Sequence, residues 1–142
     1  MQITEPMTTT KNMMGLVVLS LMPGAITATW VFGAGVLLNL VMAIITAWTT
    51  EGLCLAMRGR SIAPRLKDHS ALLTACLLGL SLPQAAPWWL TMFATVSAVG
   101  LGKHLYGGLG HNPLNPAMLG YAIMLVSAPV AMTTLWVDPL NP

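Results

Sequence analysis

From residue 13 to residue 32 the chain runs for 20 positions without a charged side chain. Crossing a bilayer core of about 30 Å takes about 20 apolar residues of helix, so this stretch is built to span one. Four further apolar stretches follow: 34–57, interrupted by Asn39 and Glu51, then 71–82, 86–102 and 117–137. Backbone groups in lipid must bond internally, which makes these stretches helices or pieces of helices. The expected fold is all-α, a polytopic membrane helix bundle of about five segments, one of them short or broken. Residues 1–12 form a tail and 13–142 the membrane domain. The tail carries one Lys and one Glu, unlike the basic start of a cleaved secretory signal.

Composition agrees with a chain whose solvent is lipid. Hydrophobic residues make up 56% and charged residues 7%, against roughly 25% charged in a soluble domain. Intrinsic disorder is excluded by the same numbers, because disordered chains are polar. Cys54 and Cys76 lie singly in apolar runs and read as small apolar residues, not as a disulfide or a metal site. Nothing points to a nucleic-acid partner, because the six basic residues are explained by topology.

Lys11 precedes the first segment, Arg58, Arg60, Arg65 and Lys67 lie between the second and third, and Lys103 follows the fourth. If every segment crosses, all six share one side, which the positive-inside rule makes cytoplasmic. The N-terminus is then cytoplasmic and the Pro142 end periplasmic. Segment 71–82 gives only about 18 Å of helix. It is either a broken helix continuing as extended backbone through Leu82, Pro83 and Gln84, or a short tilted one. Trp30, Trp88, Trp89 and Trp136 then fall at outer ends, as interfacial aromatic residues do. Pro23 and Pro129 are expected to bend their segments. Small residues recur every fourth position at Ser20, Gly24 and Ala28, and again at Ala94, Ala98 and Gly102, faces along which helices pack closely in lipid.

Glu51 is the sole acidic residue within a segment. It reads either as part of an ion path or as a snorkelling or helix-pairing residue. Asp68 and His69 stand where residues cap the start of the third segment. Between the fourth and fifth segments, 103–117 packs three Gly into four residues and then two Asn-Pro pairs. This is either a rigid elbow or the lining of a cavity, with Gly107, Gly108, Gly110, Asn112 and Asn115 facing it. It is no phosphate loop, because Pro113 stands where a third Gly would be needed. No catalytic residue set and no metal ligand set emerges from spacing. From the residues alone, a redox-complex subunit, a channel-like solute or ion transporter and a non-catalytic assembly subunit all stay open.

Leu66-Lys67-Asp68-His69-Ser70-Ala71-Leu72-Leu73-Thr74-Ala75, Ala86-Pro87-Trp88-Trp89 and the Tyr-Gly-Gly-Leu-Gly and Asn-Pro-x-Asn-Pro-Ala pattern of 103–121 resemble the D-subunit family of the Rnf electron-transport complex. That family is related to the B subunit of the sodium-pumping NADH:quinone reductase. The resemblance implies an inner-membrane translocase subunit, coupling electron transfer between ferredoxin or NADH and other carriers to ion movement. It implies partner subunits of the Rnf complex and a fold of two inverted, urea-channel-like repeats, of which this chain supplies the first. It also implies FMN joined through its phosphate to a Thr in a Ser/Thr-Gly-Ala-Thr type motif. No Thr here has that neighbourhood, and the attachment site is expected beyond Pro142.

Overall fold

In a computed structural model, the described residues are 7–61, 67, 69–105 and 114–138. Among them the regular structure is helical throughout, with no strand. Helix α1 spans Met7–Phe32 and α2 spans Ala34–Met57. Each is long and apolar enough to cross a bilayer. After α3 (Ser70–Ser81) comes α4 (Trp88–Ser97), which continues as a π-helical segment, Ala98–Leu105. Two helices close the fold, α5 (Pro116–Ser127) and α6 (Pro129–Thr134).

The second apolar stretch coincides with α2, whereas α1 begins earlier than its apolar run, inside the expected tail. The fourth stretch extends beyond 102 to Leu105. The fifth is divided, because Pro129 offers no N–H to continue the helix and Ala128 turns out of helical geometry at φ −136°, ψ 57°. Pro23, by contrast, stays inside a continuous α1.

Close approaches show that successive segments run back and forth. Gly15 of α1 faces the ring of His69, at the start of α3. Gly35, at the start of α2, faces the backbone of Gln84, beyond the end of α3. Gly79 of α3 backs onto Asn39, Leu40 and Ala43. Gly102 meets Pro116, while Gly120 lies against Ala94 and Ala98. The bundle therefore has a Lys103 end and a Gln84 end, and each of the five segments joins one to the other.

The third segment ends as the broken-helix alternative describes. Leu82 leaves the helix in extended geometry, and Leu82, Pro83 and Gln84 are buried. Freed backbone at that depth needs partners, and it has them. The Asn39 amide donates to the Pro83 carbonyl at 2.8 Å, and Thr91 Oγ1 donates to Asn39 Oδ1 at 2.9 Å. Ala85 N donates to the Leu135 carbonyl, and Val137 N to Gln84 Oε1.

Two apolar clusters hold the layers together. Ala43 and Ala47 of α2 meet Ala71 and Ala75 of α3 and Val99 of the π segment. Leu78, Leu82, Leu90, Ala94, Ala98, Ala117, Met124 and Met132 form the other. Alanines dominate the first cluster because lipid offers no hydrophobic drive to associate helices, so close backbone packing must supply the attraction. The stripe of Ala94, Ala98 and Gly102 is used in this way, by α5. In the stripe of Ser20, Gly24 and Ala28 the first two are exposed and Ala28 is half-buried, and Gly24 has no atom within 4 Å of where a Cβ would stand. Leu16, Leu19, Met22 and Ile26 on the same helix are exposed.

Trp30, Trp88, Trp89 and Trp136 are all exposed at the Gln84 end. Their grouping at one level is the arrangement of an interfacial belt.

Candidate functional site

Glu51 lies 17 residues into α2, and Lys103 lies 15 residues beyond the start of α4. Both stretches run toward the same end, so a rise of about 1.5 Å per residue brings the two side chains to nearly equal depth. Lys103 Nζ donates to Glu51 Oε1 at 2.5 Å and to Ser70 Oγ at 2.5 Å. Glu51 is 1% exposed, Lys103 6% and Ser70 6%. Three elements are thus joined through one ammonium group.

The π segment sets up this contact. Its i→i+5 pairing widens the turn, so that Ala98, Val99, Gly102, Lys103 and His104 all face inward. Gly102 lets Pro116 close in behind, where an added Cβ would stand 3.0 Å from Pro116 Cα. Ser70 is set by an abrupt helix start: His69 takes φ 61°, and Thr74 Oγ1 donates to the Ser70 carbonyl at 2.9 Å. Nearer the end of the bundle, the Arg58 guanidinium donates to the His104 carbonyl.

Run length alone puts Lys103 after the fourth segment, as a charge on the cytoplasmic flank; the structure buries it inside the bundle. The reason is that the helix does not stop at Gly102, and Glu51 offers the ammonium a carboxylate. Glu51 is accordingly not turned toward water: it is buried, and its carboxylate accepts from Lys103. An uncompensated carboxylate in an apolar interior is costly, and a paired one much less so.

The other sequence-derived candidates are dispersed. Asn115 caps α5 through Oδ1, which accepts from Ala117 N at 3.0 Å. It also lines an open groove of about 410 Å³, with Leu77, Ser81, Ala117, Met118 and Tyr121. Gly107, Gly108, Gly110, Asn112 and Asp68 lie outside the described residues. At the start of α3, His69 makes no side-chain capping bond. Cys54 and Cys76 are free thiols, the second buried.

A buried acid–base pair in a bundle of lipid-facing helices defines a polytopic membrane protein with a charged interior. Its family is shown by comparison: the chain belongs to the NQR2, RnfD, RnfE family, whose sequence model matches residues 3–141. It is 51% identical over 125 residues to the D subunit of the ion-translocating oxidoreductase complex of Klebsiella pneumoniae (strain 342), covering 88% of this chain and 36% of that protein. To the protein of the same name in Alcanivorax borkumensis it is 50% identical over 143 residues, covering 98% and 42%. The Yersinia pseudotuberculosis serotype O:1b protein is 49% identical over 137 residues, covering 96% and 39%. The chain thus spans about two fifths of the length of these relatives.

Proposed function

We propose that the bundle is membrane machinery of an ion-translocating redox complex of the bacterial inner membrane, in which Glu51 lies on the ion path. The observation that carries this reading is the Glu51–Lys103 pair, buried between α2 and the π segment. Ionisable residues inside a membrane are costly, and a pair that only held helices together is readily replaced by apolar packing. Membership of a family whose relatives are named as the D subunit of an ion-translocating oxidoreductase complex supports a transport role.

Electrons pass between ferredoxin or NADH and other carriers in partner subunits of the complex, and this chain contributes the ion-conducting side. FMN belongs to the complex in this reading, but its phosphate is not held by these residues. Thr133 and Thr134 are exposed near the Gln84 end, yet Ala131-Met132-Thr133-Thr134 lacks the glycine of the attachment motif. The Lys103 end, where the chain also carries Lys11, Arg58 and Arg60, faces the cytoplasm, and the Gln84 end faces the periplasm.

The test is electron-driven ion uptake into vesicles containing the whole complex. Glu51→Gln is expected to assemble and to lose uptake. Full uptake in the assembled variant removes Glu51 from the path. No uptake by the unaltered complex overturns the reading itself.

A further inference from the structure

Going beyond that reading, we propose that the starts of α1 and α3 together hold the headgroup of an anionic phospholipid, with Lys11 and Lys67 binding its phosphate. Helix α1 packs on α2 and α3, yet no residue from Thr10 to Phe32 is buried. In its first turns Met14, Gly15 and Val18 are half-buried, and their spacing puts them on one face. Lys11 continues that face toward the Lys103 end, three residues before Met14 and four before Gly15. A Cβ added to Gly15 would stand 4.0 Å from His69 Cδ2, so the face is turned to the start of α3. Lys11 lies about 6 Å of helical rise from that contact. Lys67 is two residues upstream of His69, at most about 7 Å of chain. Two exposed ammonium groups on flexible stems thus flank one contact from two elements.

Charge and level decide the occupant. Residues 1–12 and 58–69 carry five basic side chains against two acidic ones. Of the acids among the described residues, Glu51 is buried against Lys103 and Asp138 stands at the Gln84 end. Lys11 and Lys67 enter no ion pair among the described residues. Two ammonium donors are answered by an anionic group that only accepts, and phosphate is a common partner of lysine. Lys11 stands two residues before the apolar run 13–32, and Lys67 four before segment 71–82. Both therefore lie where hydrocarbon gives way to headgroups. Just inside that level Met13, Leu16 and Val17 are exposed, an apolar wall for acyl chains. A zwitterionic lipid brings its own cation to the lysines, and a soluble phosphate brings no acyl chain. An anionic phospholipid meets both demands, and by bridging two helices it helps to hold α1, which is otherwise attached without a buried residue.

Photolabelling of the whole complex tests the site. The complex is reconstituted with phosphatidylglycerol carrying a diazirine at the start of one acyl chain, or with phosphatidylcholine carrying the same label, and labelled peptides are mapped by mass. The expected result is labelling of the first turns of α1 and the start of α3 by phosphatidylglycerol well above that by phosphatidylcholine. Lys11→Gln/Lys67→Gln is expected to lower it by roughly tenfold, each lysine being one phosphate contact, while Lys11→Arg/Lys67→Arg keeps it. Four outcomes overturn the proposal: equal labelling by the two lipids, because charge then selects nothing; labelling unchanged in Lys11→Gln/Lys67→Gln, because the lipid is then held elsewhere; displacement of the label by inorganic phosphate, because a soluble anion is then the ligand; and no labelling of these turns by either lipid, because an acidic segment of a partner subunit then covers them. The comparison of the two lipids is made on the unaltered complex, so it decides even where the glutamine variant fails to assemble.

Discussion

Gly120 of α5 stands so close to Ala94 of α4 that a Cβ built on it would lie 2.6 Å from the Ala94 carbonyl oxygen and 2.8 Å from Ala98 Cβ. Neither neighbour is the end of a flexible side chain, so α4 and α5 must separate to admit a methyl group. Gly120→Ala is expected to destabilise by about 1–3 kcal/mol, the usual cost of overpacking. Gly24→Ala, where a Cβ meets nothing within 4 Å, is expected to stay within about 0.5 kcal/mol of the parent. Thermal melting of the purified complex compares the two, and equal melting temperatures would refute the close packing of α4 on α5.

Asn39 both donates to the Pro83 carbonyl and accepts from Thr91. Asn39→Leu leaves the Thr91 hydroxyl without its acceptor in a dry interior, at about 1–3 kcal/mol, while the Pro83 carbonyl keeps the bond from Ala86 N. Thr91→Val added to Asn39→Leu is then expected to cost less than Thr91→Val alone, because the bond it removes is already gone. A double-mutant cycle on melting temperature reads this directly. Strict additivity would show that the two side chains do not interact.

The proposed topology, in which all five segments cross, puts the Arg60 turn and Asp138 on opposite sides of the membrane. In a background without Cys54 and Cys76, Arg60→Cys is expected to resist an impermeant thiol reagent in intact cells and to react after permeabilisation. Asp138→Cys is expected to react in intact cells. The reverse pattern would invert the orientation, and labelling of both from one side would mean that one segment turns back.

Covalent flavin is expected on no threonine of residues 1–142. Peptide mass mapping of the purified complex checks this. A flavin-sized mass increase on the peptide containing Thr133 and Thr134 would show that a glycine is not needed at the attachment site.

Some of this protein is written in the order of its residues. Apolar run length alone defines α2 as Ala34–Met57 and marks the third stretch as short, either a broken helix or a tilted one, and the structure decides for the break. The reason is local: in lipid every stretch must satisfy its own backbone, so length and polarity dictate helix. The tryptophan level and the Ala94, Ala98 and Gly102 face are legible for similar reasons, as properties of one segment. The pairing of Lys103 with Glu51 is not, since it joins residues 52 positions apart. Parallel α2 and α4 with matched depths carry a signal for it, but a lysine just past an apolar run reads as a flanking charge. What buries it is the π segment, which prolongs the helix and widens its turn, and whether a turn is α or π depends on what packs against it. The same holds for the stripe on α1, whose spacing equals that of the stripe on α4. Only the tertiary structure decides that α5 covers one while Gly24 of the other stands open, because close packing needs a partner helix of matching shape and spacing alone does not supply one.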